Sequence, residues 1–170
     1  MIREAQSDDI QYLMSIVNHT IKIMAEEQND QWNETYPLPE HFQKDIDNGT
    51  LFVKVTNNKV IGSITIDCDF SDAYNKFEWE QPLETTLIFH RLVVDPTIRK
   101  KGIASELIDY AEAYARSKGF KSIKVDTYSL NQKAQALFQR LDYLPVGNLT
   151  LPERAYPFFF YEKDIRVPIK

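Results

Sequence analysis

The chain has 170 residues, enough for one domain with a buried core, and its 43% hydrophobic and 26% charged content is ordinary for a globular protein. A formal net charge of −5 argues against broad nucleic-acid binding, which needs a basic face. No apolar run reaches the length of a membrane helix, the start "MIREAQSDDI" lacks a signal-peptide pattern, and the lone Cys68 excludes an internal disulfide, so a reducing, cytoplasmic setting without membrane contact is expected.

The first residues, "MIRE", can form a short strand. Ser7 is placed to cap a helix, with Asp8 and Asp9 in the first turn, where the dipole favours anions. Ile10, Leu13, Met14, Val17 and Ile21 recur at helical spacing and give that helix one apolar face. "NDQWNETYPLP" breaks the pattern, and "EHFQKDIDNG" reads as a short helix closed by Gly49. "LFVKV" and "KVIGSITIDCDF" read as strands joined by Asn57-Asn58, since asparagine tolerates the left-handed conformation of a tight hairpin. Residues 70–83 form a polar, aromatic loop. "ETTLIFHRLVV" reads as a long strand closed by Asp95-Pro96. Ile103, Ala104, Leu107, Ile108, Ala111 and Ala115 then mark a helix that ends at Gly119. "KSIKVDTY" is a strand, and Ser129 with Gln132 forms a capping box for a helix to about Leu141. "YLPVG" and "PFFFYEKDI" supply two last strands, and the aromatic "PFFFYEK" could pair across a homodimer.

The order β-α-α-β-β-β-α-β-α-β-β predicts one mixed α/β domain over residues 1–170, with a mixed sheet carrying helices on both faces. The strand–helix–strand unit at 85–127 should be a right-handed parallel crossover.

Charge is unevenly placed. Asp67, Asp69, Asp72, Glu78, Glu80 and Glu84 face a single Lys76 over residues 67–84, whereas Arg99, Lys100 and Lys101 are all basic. Two solvated loops would explain this, and so would two sites of opposite preference. A helix starting near Gly102 leaves its first N–H groups unpaired beside the positive end of its dipole, which makes an anion site. Gly102 lets a ligand approach the backbone, and the flanking cations suit phosphate. Neither the Walker pattern nor GxGxxG is present.

Arg99-x-x-Gly102-x-Ala104, after "LVVDP" and before an amphipathic helix, resembles the acyl-CoA signature [Q/R]-x-x-G-x-[G/A] of the GNAT superfamily of N-acyltransferases. "LNQKAQALFQRLDYLPVG" is similar to a second helix motif of that superfamily through Asn131, Ala134, Leu137, Phe138 and Tyr143. The order of elements matches along essentially the whole chain.

The resemblance implies a mostly antiparallel sheet splayed between two parallel strands, at 85–94 and 121–127, with acetyl-CoA in the gap. It implies that the backbone of Leu92, Val93 and Val94 pairs with the pantetheine arm. The N–H groups of Arg99, Lys100, Lys101, Gly102, Ile103 and Ala104 would cradle the pyrophosphate, Asn131 would bind the pantetheine end, and Phe138 would lie beside the thioester. The implied reaction is direct acetyl transfer to a primary amine, with no metal expected. It needs a proton acceptor, and His90, Glu84 and Asp126 are the candidates. A backbone N–H near Val93 would face the oxyanion. Many members place a tyrosine acid where this chain has Phe138, which cannot donate a proton. Tyr143 fits core packing better than that role. Cys68 is a poor nucleophile, because Asp67 and Asp69 should raise its pKa. Trp32, Tyr36, Tyr74 and Trp79 (with Phe77) fall in the stretches that build the acceptor pocket in the family. They suit a cationic amine, or they simply fasten long loops. A small-molecule amine is the expected acceptor. The alternatives are a protein N-terminus or lysine, and a non-catalytic acyl-CoA sensor.

Overall fold

The computed structural model describes residues 1–98 and 100–166. The chain divides into two compact units, Met1–Ile66 with His90–Tyr110, and Asp67–Phe89 with Ala111–Lys170.

The first unit opens with strand β1 (Ile2–Glu4), helix α1 (Ile10–Glu26) and helix α2 (Pro39–Asp47). Strands β2 (Leu51–Thr56) and β3 (Lys59–Asp67) follow. β1–β2–β3 is an antiparallel meander. Its hairpin is the expected one, with Asn57 and Asn58 both left-handed at φ 52° and 61°. On α1, Leu13, Ile16 and Val17 are buried, and Ile10, Met14 and Ile21 pack at their margin. They join Trp32, Phe42, Leu51, Val53 and Val93 in one core. Phe42 is 0% exposed, and a side chain of its size contributes about 1.5–3 kcal/mol by leaving water.

The expected Ser7 cap is not formed. Ser7–Asp9 is a short 3-10 turn, and α1 begins only at Ile10. Asp9 is drawn inward instead, accepting both guanidinium nitrogens of Arg3 at 2.8 and 3.0 Å and the Gln6 backbone N–H at 2.7 Å. The bidentate, charge-assisted pair with Arg3 fixes the Asp9 carboxylate away from the helix N–H groups.

Strand β4 (Thr86–Val94) runs through both units. Helix α3 (Ile103–Ser117), strand β5 (Ser122–Tyr128), helix α4 (Gln132–Arg140), strand β6 (Leu144–Leu149) and strand β7 (Phe158–Asp164) complete the chain. The strand order is β1-β2-β3-β4-β5-β7-β6 in a mixed sheet. β4 and β5 are parallel, joined through α3 as expected. Within the second unit their ladder covers Thr86↔Ser122, Leu87↔Ile123 and Ile88↔Lys124 and then ends. The second unit's core gathers Tyr74, Ile88, Tyr128, Phe158 and Phe160.

Two expectations fail here. The α4 cap is not Ser129 with Gln132 but Asn131, whose Oδ1 accepts the Ala134 N–H at 3.1 Å. The aromatic strand cannot pair across a dimer, because β7 is hydrogen-bonded to β5 on one edge and β6 on the other. Among the described residues, no helix is long and apolar enough to cross a membrane.

Candidate active site

In the first unit, β4 carries an interruption that its apolar sequence hides. Arg91 sits in the left-handed region at φ 46°, rare for a bulky side chain in a strand. Its guanidinium holds it there. Nε and Nη2 donate to Asp45 Oδ2 and Oδ1, both at 2.7 Å, and Nη1 donates to the Tyr36 hydroxyl at 2.9 Å. Asp45 is 4% exposed and also accepts the Thr65 hydroxyl at 2.8 Å. Burial works against the Arg91 charge, but Asp45 and the Tyr36 oxygen more than offset it, and the guanidinium holds its proton more tightly than usual.

The left-handed Arg91 lies between His90 and Leu92 and interrupts the strand's period of two there. His90, Leu92 and Val94 are half-buried, whereas Val93 belongs to the core. β3 approaches this end of β4 closely: a Cβ on Gly62 would lie 2.7 Å from the Val93 carbonyl oxygen.

After β4 the chain turns at Asp95, whose Oδ1 accepts the Thr97 N–H and hydroxyl at 2.9 and 2.7 Å. Arg99 lies outside the described residues. Lys100, Lys101 and Gly102 are exposed, Ala104 is half-buried, and Ile103 anchors the helix in the core at 2% exposure. Gly102 has φ +91°, and a Cβ added there would meet nothing within 4 Å. The backbone is therefore glycine-specific and open on the side a ligand would use. The first turn of α3 closes from the Glu106 N–H to the Gly102 carbonyl at 2.9 Å, so the N–H groups just before it have no intrahelical acceptor. Glu106 would oppose an anion here, but Lys54 at 2.5 Å and Lys100 at 3.6 Å pair with it. Lys54 foremost holds its carboxyl below the usual range.

In the second unit, Phe138 is 4% exposed and packs edge-on against Phe89 at 5.8 Å and Tyr161 at 5.5 Å. Tyr143, 1% exposed, donates to Glu112 Oε2 at 3.0 Å, so its hydroxyl is committed to the core as expected. Asn131 stands half-buried at the head of α4. Asp126, on β5, accepts a short hydrogen bond from the Tyr74 hydroxyl. Burial first, and then the Asp126 charge, pushes the Tyr74 phenol well above its ordinary range. Trp79 stacks on Tyr74 at 5.5 Å and donates its indole N–H to the Tyr74 carbonyl at 2.7 Å. Glu84 is exposed in the 3-10 turn Leu83–Thr85 before β4. Partial burial, and then Asp67, raises the Cys68 thiol.

The aromatic residues therefore divide. Trp32 and Tyr74 are interior, at 8% and 1% exposure, while Tyr36 and Trp79 are half-buried. Two of the four expected pocket residues thus fasten loops, because large rings gain most from full burial. Leu92, Val93 and Val94 share the first unit with Lys100, Lys101, Gly102, Ile103 and Ala104, and in the second unit Asp126 is bonded to Tyr74, which in turn carries Trp79. Arg91 and Asp45 were missed by the sequence reading. The available signal was an arginine inside the apolar run "LIFHRLVV", which cannot be buried without a carboxylate partner.

The model of the acetyltransferase (GNAT) family matches residues 18–143. The crystal structure of a putative acetyltransferase from Staphylococcus aureus Mu50 is 30% identical, with a TM-score of 0.74 over 98% of this chain and 99% of that one. A putative acetyltransferase, yncA, from Salmonella typhimurium, solved with its cofactor acetyl-CoA, shares the fold at 16% identity, with a TM-score of 0.71 over 100% of this chain and 96% of that one. An uncharacterized N-acetyltransferase of Methanocaldococcus jannaschii is 28% identical over 57% of this chain, which spans only 40% of that relative's length. The family model covers well over half of the sequence, so the chain belongs to the GNAT family of acetyltransferases.

Proposed function

We propose that the chain transfers the acetyl group of acetyl-CoA to a primary amine, and that the amine belongs to a small molecule. The observation that carries this reading is the exposed turn at Gly102, with its left-handed φ of +91° and the N–H groups of α3 behind it. Lys100 and Lys101 are exposed beside it, so the donors and charge suit a pyrophosphate. Leu92, Val93 and Val94 would align the pantetheine arm, and by the family resemblance Asn131 and Phe138 belong to the same set.

When bound, acetyl-CoA supplies an acetyl group activated as a thioester. His90 is the proposed acceptor of the amine's proton, with Asp126 and Glu84 as the other candidates. The N–H near Val93 is the proposed oxyanion donor. No side-chain acid is assigned, since Phe138 has no proton to give and the Tyr143 hydroxyl is engaged by Glu112. The acids and rings of residues 67–84 suit a cationic amine. The exposed thiol of Cys68 fits the proposed cytoplasmic setting.

Thiol release from acetyl-CoA across a panel of small amines and peptides tests the reading, with release expected for small primary amines. Release with peptides alone would move the acceptor to protein. Tight acetyl-CoA binding with no release would favour the sensor. Gly102→Val should weaken acetyl-CoA binding about tenfold or more, because a β-branched residue neither adopts this φ nor leaves the backbone open. Calorimetry showing unchanged affinity in a folded variant would take the cofactor away from this turn. His90→Gln should depress turnover at neutral pH, and an unaltered pH–rate profile would remove His90 as the base.

A further inference from the structure

Within the second unit, a cavity of about 510 Å³ lies between α4 and the β6–β7 edge. Gln135 and Gln139 line it from the helix, Val146 and Asn148 from β6, and Phe159 and Tyr161 from β7. Its size falls in the range of small-molecule sites, about 300–1,000 Å³. The β6–β7 register explains the space. Pro145 pairs with Tyr161 and Gly147 with Phe160, so Val146 is an extra, bulged residue between them.

Tyr161 makes this more than a surface fold. It is 6% exposed, it lines the cavity, and among the described residues its hydroxyl makes no hydrogen bond. The ring is buried, but the hydroxyl reaches the cavity wall, where water can take its hydrogen bond until a ligand oxygen replaces it. Gln135 adds a complementary group. Its Nε2 donates to the Ser129 and Asn131 carbonyls at 2.8 and 3.1 Å, which leaves Oε1 as an acceptor. Among the described residues, no ionised side chain lines the cavity. A charged occupant would lose its hydration without gaining a partner.

We propose that this cavity binds an uncharged, largely apolar small molecule whose carbonyl oxygen accepts a hydrogen bond from the Tyr161 hydroxyl. Val146, Phe159 and the Tyr161 ring cover its apolar body, and Gln135, Gln139 and Asn148 form the polar mouth. Burial raises the Tyr161 phenol, so the donor stays protonated throughout the neutral range. None of the residues that line the cavity belongs to the 92–104 segment.

The test is ligand-observed NMR on the full chain, with acetanilide as the neutral carbonyl probe and benzoate and benzylammonium as charged comparators. Acetanilide should bind, and each charged probe should bind at least about tenfold more weakly. Tyr161→Phe, which removes only the hydroxyl, should weaken acetanilide about fivefold. Gln139→Trp, made at an exposed helical position, should fill the mouth and abolish binding. Absence of acetanilide binding up to its solubility limit overturns the proposal. So does an unchanged affinity in either folded variant, and so does equal binding of a charged probe.

Discussion

Arg91→Ala is expected to lower the free energy of unfolding by about 3–5 kcal/mol, measured by urea denaturation. The size follows from what remains. Asp45, 4% exposed, would retain the Thr65 hydroxyl but lose two guanidinium bonds of 2.7 Å. A buried carboxylate deprived of its cation is among the most destabilising single changes. Tyr36 would lose its donor as well.

The backbone supplies an internal control. Arg91 has φ 46°, a conformation that strains a residue with a Cβ by roughly 1–2 kcal/mol. Arg91→Gly removes the same ion pair and relieves that strain, so it should be about 1 kcal/mol less damaging than the alanine variant. A loss under about 1 kcal/mol in Arg91→Ala would mean that the Asp45 pair does not hold the kink. Equal losses for alanine and glycine would mean that the backbone there is unstrained.

The contrast between Arg91 and its surroundings shows where sequence reading stops. The strands and α-helices of the described residues are visible because each has a local cause. Apolar residues recur at period two or near 3.6, Asn57-Asn58 selects a left-handed turn, and Gly102 precedes an amphipathic run. The caps are less visible, because several polar residues near a helix start compete for the same N–H groups. No side chain caps α1, since Asp9 turns its carboxylate to Arg3 and the Gln6 N–H, and Ser129 loses to Asn131 at α4. Long-range partners are not visible at all. Nothing local says that Arg91 meets Asp45 across 46 positions, or that Tyr74 meets Asp126 across 52. The rings at Trp32 and Tyr74 carried the same ambiguity, since an aromatic side chain in an irregular stretch can wall a pocket or pin a loop.

The second large effect lies in the other unit. Lys124 is 0% exposed on β5 and donates to Glu162 Oε2 at 2.9 Å, Thr86 Oγ1 at 2.7 Å and the Gln81 carbonyl at 2.8 Å. Glu162 in turn accepts the N–H groups of Glu80 and Gln81 at 2.9 and 3.2 Å, so the pair fastens the acidic loop. Lys124→Met should lower stability by about 3–5 kcal/mol, and the double variant Lys124→Met with Glu162→Gln by less than the sum of the single changes. Burial pulls the Lys124 pKa below its ordinary value of 10.5, and Glu162 resists that shift. The native chain thus binds this proton more weakly than the unfolded chain. Between the native value and 10.5 the unfolded state carries the extra proton, so stability must rise with pH across that window. Glu162→Gln removes the charge that props the pKa up, so the rise should begin at lower pH than in the wild type. In Lys124→Met it should vanish, which separates Lys124 from every other titrating group. A wild-type contribution that falls with pH over that window, taken as the difference from Lys124→Met, would reverse the assignment: the pair would then hold the lysine's proton more tightly than water does.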